Sequence, residues 1–269
     1  MSALENANRV VVKVGTSTLT HRTGMLNLRR VEQLVKMLAD LKNAGKDVIL
    51  VSSGAVGVGV GELGLTEKPK DIPTKQACAA IGQCELMYMY DKLFSEYNHK
   101  VAQVLLTRDN IEMDSRKQNV QNTFNRLLEL NVIPIVNEND TVSVEELELE
   151  FGDNDTLAAI VGQLVHADLL IVLSDIDGLY DKNPKLYPDA QMIERVTEIT
   201  DEIRALAGGK GSELGTGGMV TKLNAAQIAL DAGFSMILAN GQNPRLLYDL
   251  LDGKHVGTIF CAGNLTKKH

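Results

Sequence analysis

Cysteine is scarce in this chain of 269 residues, which has only Cys78, Cys84 and Cys261. Their spacing matches no zinc-ligand pattern and their odd number builds no disulfide framework, so the sequence fits a reducing, cytoplasmic compartment. No apolar run is long enough to span a bilayer. The opening Met1-Ser2-Ala3-Leu4-Glu5-Asn6 lacks the charged-then-apolar pattern of a secretion signal. A basic surplus is missing too. The formal net charge of -8 argues against a general nucleic-acid binder, although it leaves room for a local basic pocket. The histidines His21, His99, His166, His255 and His269 form no metal-ligand pattern. No Gly-x-x-x-x-Gly-Lys-Ser/Thr run occurs, which excludes a Walker-type phosphate loop. Internal repeats, low-complexity tracts and a clean linker are also absent.

Hydrophobic residues make up 44% of the chain, enough to bury a core at this length. Their pattern alternates between two periods. Residues 10–14 form a short β-branched run that reads as a buried strand. Leu28, Val31, Leu34, Val35, Leu38 and Leu41 follow at helical spacing, with Gly45 as a stop. The alternation continues with a strand over 47–52, a long helix capped by Thr74 and reaching Tyr97, and a strand over 101–106. A helix over 119–130 precedes a strand over 132–136. A helix over 155–166 leads to a strand over 168–173, and a helix over 219–232 to a strand over 234–239. Residues 145–151 alternate weakly, as a hairpin arm would, and 182–190 read as a surface loop. Strands alternating with helices imply βαβ units, hence a three-layer αβα sandwich around a central, mostly parallel sheet. Right-handed crossovers place the strand carboxyl ends on one edge, where open α/β sheets bind ligands. Ser17, Ser53, Asn137 and Ser174 all follow predicted strands and should meet there.

Two lysines near opposite ends of the chain sit beside glycine-rich turns: Lys13 in Val10-Val11-Val12-Lys13-Val14-Gly15-Thr16-Ser17, and Lys222 in Gly215-Thr216-Gly217-Gly218-Met219-Val220-Thr221-Lys222. Glycine lets backbone amides approach an anion, and lysine adds a compact positive charge. Lys13 lies inside an apolar strand, where an unpaired ammonium is costly. A strand-end lysine reaching solvent is the plain alternative. The glycine and hydroxyl residues that follow favour charge neutralisation on a phosphoryl group in transfer. Lys222 lies just inside a helix, whose free amino-terminal amides suit an anion; a solvated helix lysine is the alternative.

Between the lysines stand Ser52-Ser53-Gly54-Ala55, Asn137-Glu138-Asn139-Asp140 and Gly152-Asp153-Asn154-Asp155. Asn and Asp at strand ends are ordinary turn residues, but four polar groups in a row at the ligand edge favour binding. Asp140 suits a substrate ammonium. Asn154 or Asp155 caps a helix, and Asp155 can also pair with both lysines. Leu173-Ser174-Asp175-Ile176-Asp177-Gly178-Leu179-Tyr180 suits a nucleotide, or only a tight turn. Gly59, Gly61 and Gly64 match Gly-x-Gly-x-x-Gly, yet no strand ends directly before them, which argues against a dinucleotide site.

Taken together and in this order, these motifs resemble the amino acid kinase family, in particular the branch acting on L-glutamate at the start of proline biosynthesis. The resemblance spans nearly the whole chain. It implies ATP-dependent transfer of the γ-phosphoryl group to the side-chain carboxylate of L-glutamate, with L-glutamyl 5-phosphate passed to glutamyl phosphate reductase. On that likeness Lys13 and Lys222 would stabilise the transferred group and Asp155 would organise them. Ser53, Gly54, Ala55, Asn139, Asp140 and Asn154 would hold glutamate. Lys13, Gly15, Ser174, Asp175, Thr216, Gly217, Gly218, Met219, Val220, Thr221 and Lys222 would hold ATP. Magnesium would accompany the nucleotide, with its ligands left open. The resemblance further implies one domain over 1–269, with an amino-terminal lobe for glutamate and a carboxyl-terminal lobe for ATP. It implies a dimer or tetramer, proline as a feedback inhibitor, and no nucleic-acid or membrane partner. Longer relatives add an RNA-binding-type domain called PUA, for which 1–269 has no room. Relatives that phosphorylate acetylglutamate, carbamate or UMP, and a non-catalytic sensor, are the rival readings.

Overall fold

The computed structural model describes residues 6–21, 23–67, 69–142, 154–207, 218–242 and 244–261. The anticipated hairpin arm at 145–151 lies outside them, as do Gly152, Asp153, Thr216 and Gly217. The strands are β1 (Arg9–Val14), β2 (Asp47–Ser52), β3 (Val101–Leu106), β4 (Ile133–Glu138), β5 (Leu169–Ser174), β6 (Arg195–Val196), β7 (Ser235–Asn240) and β8 (Thr258–Phe260). They form one sheet in the order β3-β4-β2-β1-β5-β7-β8-β6. Every pairing is parallel except β7 with β8. The helices are α1 (Thr16–Leu19), α2 (Leu28–Asn43), α3 (Ala55–Glu62), α4 (Ile72–Ser95), α5 (Asp109–Glu112), α6 (Asp114–Glu129), α7 (Asn154–Leu164), α8 (Asp201–Ala207), α9 (Gly218–Asp231) and α10 (Leu246–Leu251).

The period of two along a strand sorts residues onto the two faces of the sheet. Val10, Val12 and Val14 join the core that contains Leu34 and Leu38 of α2, Tyr90 and Phe94 of α4 and Leu247 of α10. Val11 joins the opposite core, with Leu157 and Ala158 of α7 and Ala225 and Ala226 of α9. Two cores around one sheet make the three-layer sandwich expected from the alternation. The same parity places Lys13 on the face of Val11, towards α7 and α9. In register Lys13 lies between Val51 of β2 and Val172 of β5, in the middle of the sheet. The connection from β1 leads to β2 on one side, while β5 lies on the other. Such a reversal of strand order opens a crevice at the carboxyl edge.

Several element boundaries differ from the sequence reading. The long helix begins at Ile72, not Thr74, and ends at Ser95; its cap is Asp71, whose carboxylate accepts from the Thr74 amide at 2.9 Å. Pro73 in the first turn lacks an amide hydrogen that the helix would leave unused there, so starting before it carries no penalty. The helix expected from residue 119 starts at Asp114. Strand β4 runs on to Glu138, so Asn137 lies within the ladder rather than after it.

Helix α3 was not anticipated, because its three glycines weaken helix propensity. Contact with α4 explains it. A Cβ at Gly59 would lie 1.9 Å from the Cys78 carbonyl oxygen, and one at Gly82 would lie 1.9 Å from that of Ala55. The two helix backbones touch only because both positions are glycine. Gly61 approaches Gly24 in the same way, and Gly64 (φ +63°) follows the helix end. The Gly-x-Gly-x-x-Gly spacing thus serves helix packing and a stop, not a dinucleotide.

Candidate active site

Three charged side chains from distant parts of the chain meet in a nearly dry place. Lys13 is 4% exposed, Lys222 is 6% exposed and Asp155 is fully enclosed. The Lys13 ammonium lies 2.6 Å from Asp155 Oδ1. The Lys222 ammonium lies 2.9 Å from Oδ2 and also donates to the Gly218 carbonyl at 3.0 Å. Thr221 Oγ1 reaches the same carbonyl at 3.0 Å, closer than its 3.5 Å contact with Asp155 Oδ2. Asp155 is the second residue of α7, where a carboxylate is favoured by the helix dipole. Lys222 sits in the second turn of α9.

Burial is the largest single influence on the Asp155 carboxyl and pushes its pKa up. The summed attraction of Lys13 and Lys222, with the hydrogen bonds each supplies, outweighs burial and holds the group below its ordinary 3.8. Two ammoniums against one carboxylate leave the cluster with an excess of one positive charge. A buried cationic excess at the carboxyl edge of a sheet is an anion site in waiting.

Beside it lies a polar patch from three more elements. Asn154, first residue of α7, donates from Nδ2 to Ser53 Oγ at 2.8 Å and to Asn137 Oδ1 at 2.9 Å. Asn137 Nδ2 donates to Gln83 Oε1 on α4 at 3.0 Å. One helical face of α4 also supplies Tyr90, whose hydroxyl shares a 2.8 Å hydrogen bond with Ser52 Oγ. Burial drives the Tyr90 phenol up, only partly opposed by Ser52, so it stays neutral. Gln83 and Tyr90 escaped the sequence reading because both lie in a helix that reads as core. A polar residue inside an apolar helix was the available signal. Gly54 enters α3 with φ +105°, a conformation that carries Ser53 around the end of β2 and favours glycine.

Asn139 and Asp140 follow β4. Burial raises the Asp140 carboxyl above its ordinary value. Asn139 Oδ1 is taken by the Thr141 hydroxyl at 2.6 Å. Ser174 ends β5, and its hydroxyl donates to Asp175 at 3.1 Å. Asn240, at the end of the neighbouring β7, donates to Asp177 at 2.7 Å, which ties the end of β7 to the turn after β5. A Cβ on Gly15 would stand 3.7 Å from the Lys13 ammonium, in the space over its charge. Of the glycine stretch before Lys222, Gly218, Met219, Val220 and Thr221 open α9, and Val220 points outward at 41% exposure. Among the described residues no three His, Cys, Asp or Glu side chains are grouped to hold a metal ion, and Asp155 is already engaged by its lysines. No helix among them is long and apolar enough to cross a membrane.

The family model described as the amino acid kinase family matches residues 8–240. The chain belongs to the amino acid kinase family. Among its relatives is a Clostridium perfringens protein named glutamate 5-kinase, 58% identical over 97% of both chains. A protein of the same name from Listeria innocua is 56% identical over 97% of this chain and 95% of its own. Among solved structures, T. acidophilum isopentenyl phosphate kinase matches with a TM-score of 0.62 at 18% identity, over 94% of this chain and 99% of that one. UMP kinase from Bacillus anthracis matches with a TM-score of 0.62 at 15% identity, over 96% and 97%. These two likenesses establish the amino acid kinase fold.

Proposed function

We propose that this chain is an enzyme that transfers the γ-phosphoryl group of ATP to the side-chain carboxylate of L-glutamate, giving L-glutamyl 5-phosphate for proline synthesis. The observation that carries the reading is the Lys13–Asp155–Lys222 cluster, set beside the Ser53–Asn154–Asn137 patch, in a chain 58% identical to a glutamate 5-kinase over nearly its full length.

A carboxylate is already a nucleophile, so the reaction needs no general base. Its difficulty is bringing two anions together, which calls for positioning and charge stabilisation. Lys13 and Lys222 supply the charge to the group in transfer, and Asp155 fixes where their ammoniums stand. Ser53, Gly54, Ala55, Asn139, Asp140 and Asn154 line the acceptor end, with Asp140 taking the glutamate ammonium. Gly15, Ser174, Asp175 and the stretch from Thr216 to Lys222 take the nucleotide. The glutamate end therefore belongs to the amino-terminal half of the domain and the ATP end to the carboxyl-terminal half. Magnesium would accompany ATP and would screen phosphate charge, while Lys13 and Lys222 supply the positive charge of the chain itself. The enzyme works in the cytoplasm as a homo-oligomer, delivers its acyl phosphate to glutamyl phosphate reductase, and is restrained by proline.

The test is ADP release with ATP and magnesium, offering L-glutamate, N-acetyl-L-glutamate, carbamate or UMP, with hydroxylamine to trap an acyl phosphate as a hydroxamate. Turnover and hydroxamate with L-glutamate alone are expected. Turnover with a different acceptor would move the substrate assignment, and silence with all four would turn the chain into a sensor. Unchanged glutamate turnover at millimolar proline would remove the inhibitor from this account.

A further inference from the structure

Helices α2 and α10 pack on the face of the sheet opposite Lys13, where Leu34 and Leu247 join the core of Val10 and Val12. A hydrogen bond from the Tyr248 hydroxyl to Asp40 ties the two helices together. At their amino-terminal ends opens a cleft of about 790 Å3, a size that holds small ligands. Among the described residues its charged lining is of one sign. Arg29 and Arg30 belong to α2, and Arg245 directly precedes α10. No described Asp or Glu lines it, although the formal net charge of the chain is -8.

Three guanidiniums around one concavity give it a positive potential and draw anions in. The Arg30 guanidinium donates to the Ser17 carbonyl at 3.1 Å, which joins the cleft to α1. The Arg29 guanidinium has no hydrogen bond or ion pair with any described residue. A guanidinium stays charged at any working pH and presents a planar fork that matches two oxygens of a phosphate. Leu26 and Leu28 line the same cleft, and Leu28 is 53% exposed. An apolar wall beside a cationic one suits a carbon skeleton that carries a phosphate better than the bare ion.

We propose that this cleft is a second anion site, which takes a small organic phosphate and is separate from the phosphoryl site at Lys13 and Lys222. Arg29 of α2 and Arg245 before α10 grip the phosphate from two elements, and Leu26 and Leu28 carry the organic part. The Lys13 ammonium faces α7 and α9, across the sheet, so the ligand of the cleft is not the group in transfer. The site stands apart from the choice of acceptor.

The probe is phenyl phosphate, one phosphate on an apolar ring, titrated into the whole chain and followed by phosphorus NMR. Sodium chloride at about 0.15 M is present throughout to screen loose surface attraction. Wild type should show two classes of site, of which Lys222→Ala spares the one in the cleft. Arg29→Gln and Arg245→Gln should each weaken that class at least about tenfold, as loss of a hydrogen bond to a charged group does. They lie on different elements, so one poorly folding variant leaves the experiment standing. Arg29→Lys keeps the charge without the fork and should fall between wild type and Arg29→Gln. Turnover of Arg29→Gln without the probe should stay within about twofold of wild type, as for an exposed substitution away from the chemistry. Binding that is the same in wild type and both glutamine variants would overturn the proposal. So would binding that disappears altogether in Lys222→Ala, or inorganic phosphate binding the cleft as tightly as phenyl phosphate. If the arginine variants lose binding and Lys222→Ala loses none, the cleft stands and the phosphate role of Lys222 falls.

Discussion

Lys13 of the first strand and Lys222 of the ninth helix grip opposite oxygens of one carboxylate, at 2.6 and 2.9 Å. The arrangement holds two ammoniums close together that would otherwise repel. Asp155→Asn keeps the side-chain volume and removes the charge between them. Leaving buried charges without their partner costs about 3–5 kcal/mol, so the variant should be clearly less stable by thermal or urea denaturation. Its turnover should fall by at least about a hundredfold, because the lysines lose the geometry that phosphoryl transfer depends on. Lys13→Ala should abolish turnover while circular dichroism reports an intact fold. Full activity in Lys13→Ala would end the proposed mechanism.

The same cluster predicts where stability depends on pH. The Asp155 pKa in the folded chain is lowered from 3.8. A lowered carboxyl contributes stability that is fully present above its unfolded value and is lost as pH falls through the folded value. The stability gap between wild type and Asp155→Asn should therefore be flat from pH 8 to about pH 5 and shrink only below about pH 4. A gap that closes between pH 7 and 5 would mean that burial outweighs the two lysines and the Asp155 carboxyl is raised, not lowered.

How much of this was legible beforehand follows from local pattern. The sheet and its covering helices could be read because buried parallel strands such as 10–14 and 47–52 are continuous apolar runs. Lys13 stood out because a lysine interrupts one of them. The pairing of Lys13, Asp155 and Lys222 could be anticipated from charge at the ends of predicted elements. The support behind the site could not. Gln83 and Tyr90 act across the sheet edge, and no local period marks a helix residue whose partner lies on a distant strand. Helix α3 was hidden for a related reason: its glycines lower propensity locally, while the tertiary contact that rewards them is made with Cys78 and Gly82, elsewhere in the chain.

That contact makes Gly59→Ala a test in which two effects compete. Within a helix, alanine is favoured over glycine by about 1 kcal/mol. Against this, the new methyl would sit 1.9 Å from a backbone oxygen of α4, which cannot yield as a flexible side chain would. Overpacking of this kind costs about 1–3 kcal/mol or more, and with main chain as the obstacle it should win. Gly59→Ala should lower the melting temperature and impair activity through Ser53, because α3 follows directly from the Ser53-Gly54 turn. Gly64→Ala meets no neighbouring atom and bears only the strain of its positive φ, about 1–2 kcal/mol. A Gly59→Ala protein as stable as wild type would mean that α3 and α4 are not packed as described.

Asp140 offers the clearest pH dependence of binding. Burial raises its carboxyl above 3.8, so the charged form that attracts an ammonium is lost earlier on acidification than for an exposed aspartate. The sign for folding is opposite to that of Asp155: a raised carboxyl is a burden while ionised, and protonation relieves it. Acid should therefore weaken glutamate binding through Asp140 without a matching loss of stability from that group. The glutamate KM of the wild type is expected to rise on acidification, and to do so at a higher pH than an exposed aspartate would impose. In Asp140→Asn it should start high and change less, and taking the ratio of the two cancels titration of glutamate and of the nucleotide. Asp140→Ala should raise the glutamate KM at least about tenfold, as loss of a hydrogen bond to a charged group does, and leave the ATP KM nearly alone. Equal effects on both substrates would place Asp140 outside the acceptor end, and the discrimination between a free amine and an acylated one would then rest on Asn154.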